Sequence, residues 1–207
     1  MAALFLNTAR TIAVCLIAAL TVACPRNAED ALMLHLYHML HSEIAQAAKG
    51  TDLRPEYIAA LISIESSPPG NRDSERFEPN VYRHLLKLKQ DGTSWGGLDR
   101  KDVLKYSDDQ LKELATSYGL VQIMGYHCID LGCDVAELKG DYQLQWAAAY
   151  MQFHYAKQAR QRDWNACFRI HNTGRPNGRP HRSDYVERGL IRMQYYREWM
   201  KKNGSVF

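Results

Sequence analysis

The fold is decided by the stretch PEYIAALISIESSPPG, residues 55–70. A proline followed by twelve residues without glycine or a second proline is typical of a helix, because proline is tolerated in the first turn. Three apolar residues recur at helical spacing, and Glu65 falls on the same side of the helix. They are Ile58, Leu61 and Ile62. The sequence therefore predicts a helix with one carboxyl group on its apolar face, ended by the Pro-Pro-Gly run.

Helical periodicity continues on both sides of this stretch, and the fold class is predicted to be mainly α. A helix is expected over 29–49, within an N-terminal helix or tether at 24–50. Residues 51–207 are predicted to form a single helical domain, since no repeat or linker divides them. Beta structure is limited to a small ribbon, between Ser66 and Val81 or near Trp95. Further helices are predicted over 81–89, 107–117, 141–160, 164–170 and 183–201, the second opened by a capping box of Ser107 and Gln110 and the last capped by Ser183.

The N-terminal segment is predicted to direct export. Arg10 precedes an uncharged run over 11–23, which is too short for a comfortable membrane span. The ending LTVAC, residues 20–24, resembles a bacterial lipobox, so 1–23 is predicted to be a signal peptide and Cys24 the lipidated residue. An ordinary cleaved signal peptide and an uncleaved anchor are the alternatives. All three place the protein in the periplasm or cell envelope, in the first case with a lipid anchor in the membrane.

Three further cysteines would remain in the mature chain, namely Cys128, Cys133 and Cys167. An exported compartment permits one disulfide among them, either across the short loop from Cys128 to Cys133 or from Cys167 to either partner. Their spacing fits no structural zinc pattern, so neither a metal nor a cofactor is predicted.

The positive charge is concentrated in the C-terminal part. Residues 157–207 carry 12 Lys or Arg against 4 Asp or Glu, a net charge of +8, whereas 51–156 carry 11 against 16, a net charge of −5. A basic face suits an anionic polymer or membrane surface, and export makes nucleic acid the least suitable partner. A merely solvated helix surface is the alternative, and a monomer is expected.

Glu65 is the first candidate for chemistry. A carboxylate in apolar surroundings loses hydration, which favours the protonated acid. Such an acid can donate a proton to a glycosidic oxygen. The alternative is a partly exposed glutamate that caps a neighbouring turn.

Four motifs in order give a family resemblance. AALISIES (59–66) resembles the Glu-Ser motif of the lytic transglycosylase and goose-type lysozyme superfamily. YGLVQIM (118–124) is similar to its Gly-Leu-Met-Gln motif, and HNTG (171–174) to its Tyr-Asn-Ala-Gly motif. Tyr185-Val186 stands where the family commonly has Tyr-Val. The resemblance covers about residues 55–199 and implies a lysozyme-like fold.

The sequence departs from this pattern in two places. The interval from Glu65 to Gly119 is long, and it contains RFEPNVY (76–82), which is similar to a segment of a phage and bacterial N-acetylmuramidase family. Residues 117–125 are also similar to that family. In addition, His181-Arg182 stands where the transglycosylases have Glu-Thr.

The resemblance implies roles for individual residues. Glu65 would be the general acid and then the general base, and Tyr185 would position its carboxyl group. Gln122 would line a sugar subsite that holds an N-acetyl group, and Asn172 would hydrogen-bond near Glu65 or the substrate. Loop and capping roles are the alternative for Gln122 and Asn172.

Three further residues are candidates for the same site. Tyr118 and Tyr126 flank the Gly-Leu-Val-Gln stretch and could stack on sugar rings. Glu78 is the candidate second carboxylate that a hydrolase requires, although a salt bridge to Arg76 would make it structural.

The predicted function is cleavage of the β-1,4 bond between N-acetylmuramic acid and N-acetylglucosamine in peptidoglycan. A lytic transglycosylase would form 1,6-anhydromuramic ends on the glycan strands. The alternatives are a hydrolytic muramidase on the same fold and a noncatalytic envelope lipoprotein that binds glycan.

Overall fold

The computed structural model describes residues 24–205, so the predicted signal segment at 1–23 lies outside the described residues. Within 24–205 the chain is mainly helical, with one small antiparallel sheet of three strands. No helix among these residues is both long enough and apolar enough to span a bilayer.

The described part contains nine α-helices, three strands and one 3₁₀ turn. The helices are α1 (Ala28–Ala48), α2 (Pro55–Glu65), α3 (Pro79–Asp91), α4 (Arg100–Val103), α5 (Asp108–Leu114), α6 (His127–Leu131), α7 (Gln143–Arg160), α8 (Trp164–Thr173) and α9 (Tyr185–Lys202). The strands are β1 (Glu75–Phe77), β2 (Thr116–Tyr118) and β3 (Ile123–Met124), and the 3₁₀ turn is Val135–Leu138.

Helix α2 is the centre of the core and not an amphipathic surface helix. Tyr57 through Ile62 have no exposed surface, so the apolar stripe predicted from the sequence is too narrow. Helices α1 and α9 pack against α2 and against each other. The small side chains of Ala59 and Ala60 leave room for neighbours on the faces between the large residues. A helix enclosed in this way needs apolar residues all round.

Helix α1 belongs to the same core. The indole N–H of Trp199 in α9 donates to the buried carboxylate of Asp30 in α1, at 2.7 Å. The guanidinium of Arg192 donates to the carbonyl of Ser63 at 2.6 Å and pairs with Glu29, so it joins α9 to both α2 and α1. The segment predicted as a helix or tether is therefore a packed helix from Ala28 onward.

A second, smaller apolar cluster lies between α3, α4 and α5. The capping box predicted at Ser107 is present, because Ser107 Oγ accepts from the Gln110 N–H and Gln110 Oε1 accepts from the Ser107 N–H. The last helix differs from its prediction, since its N-cap is Asp184 and not Ser183.

The predicted ribbon between Ser66 and Val81 is present as β1. It pairs with β2, which pairs with β3, and both pairings are antiparallel. Near Trp95 there is only an isolated bridge to Leu98. The sheet stands beside the C-terminal end of α2, where Glu65 lies.

Candidate functional site

Glu65 lies in a cavity of about 650 Å³ at the C-terminal end of α2. We call this cavity the Glu65 cleft. Its walls come from the end of α2, the sheet, the C-terminal half of α8 and the start of α9. The lining residues include Ile64, Glu65, Arg76, Phe77, Glu78, Ser117, Gln122, Met124, His171, Asn172, His181, Arg182 and Tyr185.

One oxygen of the Glu65 carboxyl group is fixed by the protein. The phenol of Tyr185 donates a hydrogen bond to Glu65 Oε1, and His171 Nε2 lies 4.0 Å from the same oxygen. The side chain of Glu65 is 14 % exposed. Oε2 has no hydrogen-bond partner among residues 24–205, so it is the oxygen that can exchange a proton with a ligand.

A buried chain of hydrogen bonds orients His171. Tyr57 Oη donates to Tyr155 Oη at 3.2 Å, and Tyr155 Oη lies 3.2 Å from His171 Nδ1. His171 Nε2 lies 3.0 Å from the carbonyl of Val121. Because a carbonyl only accepts, Nε2 must carry the proton, and Nδ1 accepts from Tyr155.

Burial keeps this imidazole neutral. It lowers the pKa of His171, and the nearby Glu65 carboxylate and the Val121 carbonyl oppose this shift only in part. Burial also raises the pKa of Tyr185 well above its usual value, so its phenol remains a donor to Glu65. The carboxyl group thus accepts from one neutral phenol and lies beside a neutral imidazole.

Gln122 closes one wall of the cleft through its own side chain. Its Nε2 donates to the carbonyls of Ser74 at 2.9 Å and Gly119 at 3.0 Å, and its Oε1 accepts from Ser117 Oγ at 2.8 Å. Its backbone is left-handed, with φ of 52°. Both amide hydrogens are used within the protein, so toward an N-acetyl group Gln122 can offer only an acceptor.

The turn before Gln122 requires glycine at position 119. Gly119 has φ of 75°, and a Cβ there would lie 2.7 Å from the carbonyl oxygen of Leu138. The side chain of Gln143 accepts from the N–H of Leu120 at 2.8 Å and so fixes the same turn.

The structure brings Asn172 and Glu78 to the cleft. Asn172 Oδ1 accepts from the backbone N–H of His181 at 3.3 Å. Glu78 Oε1 pairs with Arg76 Nε at 2.6 Å, which is the salt bridge that the sequence suggested.

The two tyrosines predicted to stack on sugar rings, Tyr118 and Tyr126, lie in different places, and neither lines the Glu65 cleft. Tyr126 lines a neighbouring cavity of about 440 Å³ that shares Gln122, His171 and Asn172 with the Glu65 cleft. Tyr118 is only 4 % exposed, and its hydroxyl donates to the carbonyl of Glu113. Because neighbouring strand residues face opposite ways, Ser117 points to the cleft and Tyr118 points away from it.

Phe77 is an aromatic residue of the Glu65 cleft that the sequence alone does not identify as part of the site. Phe77 is 45 % exposed and lines the Glu65 cleft from β1. An exposed aromatic in a cleft can stack on the apolar face of a ligand ring. Its position in a three-residue strand left no periodic pattern to indicate it.

The four cysteines among residues 24–205 are all free. Cys128 Sγ and Cys133 Sγ lie 3.0 Å apart as free thiols, and Cys167 is buried in α8. Cys24 is exposed. Among residues 24–205, no group of three or more His, Cys, Asp or Glu side chains is placed to hold a metal ion.

His127 lines the same cavity as Tyr126, and its burial is expected to make the folded protein less stable in acid. Burial, with smaller effects from His154 and His171, lowers its pKa to about 3. The unfolded chain binds this proton more readily, so the stability that neutral His127 provides is full above about pH 6.5 and falls toward pH 3. Between pH 7 and pH 4.5, we expect the free energy of unfolding of His127→Phe to fall by about 2–3 kcal/mol less than that of wild type.

Urea unfolding at the two pH values measures this difference. The same substitution at exposed His35 is the control for loss of a histidine. If His127→Phe and wild type lost equal free energy of unfolding on acidification, the effect assigned to His127 would be absent.

Comparison with protein-family models, with curated proteins and with solved structures finds no match. The Glu65 cleft and the sequence motifs that form it are the features of this chain that bear on its function.

Proposed function

We propose that the protein is a peptidoglycan lytic transglycosylase that acts in the exported compartment indicated by its N-terminal segment. Its target would be the β-1,4 bond between N-acetylmuramic acid and N-acetylglucosamine. The observation that carries the proposal is the pairing of Tyr185 with Glu65 in an open cleft. Two further motif residues, Gln122 and Asn172, line the same cleft although they are distant in sequence.

The chemistry needs one carboxyl group in two protonation states. Protonated Glu65 gives its proton from Oε2 to the leaving glycosidic oxygen, while Tyr185 holds Oε1. The 2-acetamido group of the muramic acid stabilises the positive charge that develops at C1. The Glu65 carboxylate then removes the proton from the C6 hydroxyl, whose oxygen bonds to C1. The 1,6-anhydro ring forms, and Glu65 regains its proton without consuming water.

The role of Glu78 distinguishes the transglycosylase reaction from hydrolysis. A retaining hydrolase uses a second carboxylate roughly 5 Å from the acid as a nucleophile, and an inverting hydrolase uses one farther away as a base. Glu78 lines the same cleft, which makes a hydrolytic muramidase the second candidate. Its carboxylate is held by the Arg76 guanidinium at 2.6 Å and is therefore less free to attack C1 or to position a water, so the one-carboxylate reaction is favoured.

The chemical nature of the released ends tests the proposal. We expect mass spectrometry of digested peptidoglycan to show 1,6-anhydromuramic ends, and Glu78→Gln to keep the wild-type rate within about threefold. Glu75→Gln, which removes a nearby carboxylate in β1 that pairs with Lys139, is the matched control.

Two other results would support a different function. Reducing ends, together with a large loss of rate in Glu78→Gln alone, would identify a hydrolase. Glycan binding without any release of fragments by wild type would identify a noncatalytic binding protein.

A further inference from the structure

A second concave surface lies at the opposite end of the core from the Glu65 cleft. A cavity of about 500 Å³ lies between the start of α2 and the end of α9. A neighbouring cavity of about 470 Å³ shares Trp164, Arg197 and Lys201 with it. We call the two together the basic groove.

The basic groove has positive charge that residues 24–205 do not neutralise. Its basic lining residues are Arg54, Arg162, Arg197 and Lys201, and its acidic ones are Glu56 and Glu198. Glu56 pairs with Arg197 at 3.0 Å, and Glu198 pairs with Arg26. Three cations therefore have no acidic partner within residues 24–205, and they are Arg54, Arg162 and Lys201.

The floor of the groove is apolar. Trp164 stacks on the buried ring of Tyr57 with the ring centroids 5.2 Å apart, and the floor is completed by Leu190 and by the nearly buried Met193 and Met200. Long cationic side chains around an apolar floor can hold phosphate groups at the rim while their methylene stems and the indole contact less polar material. Anionic phospholipids present this combination at the surface of a bilayer.

The groove lies beside the point where the N-terminal segment enters the fold. Arg26 contacts Glu198, which lines the groove, and the Asn27 side chain donates to Tyr195 Oη at 2.8 Å. Cys24 precedes Arg26 by two residues. An N-terminal anchor in a membrane would therefore bring this surface close to the bilayer.

The Glu65 cleft is remote from the groove. Helices α2 and α9 run antiparallel, because Glu65 contacts Tyr185 at one end and Glu56 contacts Arg197 at the other. At 1.5 Å rise per residue, these pairs are separated by about 14 Å along α2 and about 18 Å along α9.

We propose that the basic groove binds the phosphate headgroups of anionic phospholipids and docks the protein on a membrane with the Glu65 cleft facing away from it. The charge balance, the apolar floor and the position of Arg26 carry this inference. It does not depend on the reaction proposed for Glu65.

Vesicle binding by the full chain tests the docking. Co-sedimentation is measured with phosphatidylcholine vesicles and with vesicles that also contain phosphatidylglycerol. The N-terminal segment, which itself carries Arg10, is present in every variant, so a difference between variants reports on the rest of the protein. Arg162→Gln combined with Lys201→Gln removes two exposed cations without breaking an ion pair. Lys87→Gln combined with Lys105→Gln removes the same charge outside the groove.

We expect the groove variant to bind anionic vesicles roughly ten- to thirtyfold more weakly than wild type, and the control variant to stay within about twofold. Cleavage of soluble glycan fragments should be equal in all three proteins, which separates this test from that of the reaction. Equal losses in the groove and control variants would show a general charge effect and overturn the proposal. A wild type without preference for anionic vesicles would overturn it as well.

Discussion

Replacing Glu65 with glutamine is expected to abolish glycan cleavage, with a fall in rate of about a thousandfold or more. The glutamine carbonyl can still accept the hydrogen bond from Tyr185, so the local structure is kept. The amide cannot donate an acidic proton to the leaving oxygen, and it cannot act as a base afterwards. The release of muropeptides from purified peptidoglycan, followed by chromatography, measures the effect.

A neighbouring carboxyl group provides the control for this variant. Asp73 is exposed and precedes β1 without lining the cleft, so Asp73→Asn should cleave at close to the wild-type rate. Circular dichroism and the melting temperature check that Glu65→Gln is folded. A folded Glu65→Gln that releases fragments as fast as wild type would refute the assignment of the acid.

Replacing Arg192 with leucine is expected to lower the free energy of unfolding by about 3 kcal/mol or more. The side chain of Arg192 is only 4 % exposed. Its Nη1 donates to the carbonyl of Ser63 at 2.6 Å and to Ser63 Oγ at 3.1 Å. Its hydrogen bond to Glu29 is the main reason that the pKa of Glu29 is lowered. Leucine would leave a buried carbonyl without a donor and Glu29 without its closest cation.

Arg188 is the matched control, because it lies one turn earlier on α9 and pairs with the same Glu29 at 3.4 Å. Its side chain is 32 % exposed, so Arg188→Leu should cost no more than about 1 kcal/mol. Urea unfolding at pH 7 compares the two variants. Equal losses would mean that the buried link from α9 to α2 contributes nothing beyond a surface ion pair.

The local parts of the fold could be predicted from the sequence, because their causes lie within a few residues. Pro55 begins α2, and the Ser107–Gln110 capping box begins α5. The sequence predicts β1 in the right interval, whereas β2 and β3 have three and two residues and are too short to show an alternating pattern. The pairing of β2 with β1, which sets Ser117 opposite Arg76, joins residues that are distant in the sequence.

The candidate site could be predicted only in part. The motifs indicated Glu65 and Tyr185, which contact each other across 120 positions of sequence. The hydrogen bonds that orient His171 depend on Tyr155 and on the Val121 carbonyl, and no local pattern reports such distant partners. The sequence shows that Tyr118 stands beside a motif, but the pleat of β2 determines which way its side chain faces.

The amide of Gln122 has a thermodynamic consequence for any ligand that enters beside Glu65. Because its three hydrogen bonds already join β2, the following turn and the loop at Ser74, this wall has little conformational entropy left to lose when it is contacted. The cost of ordering was met when the chain folded. Affinity on this side is then governed by shape and by the exchange of water for ligand, rather than by the freezing of a loop.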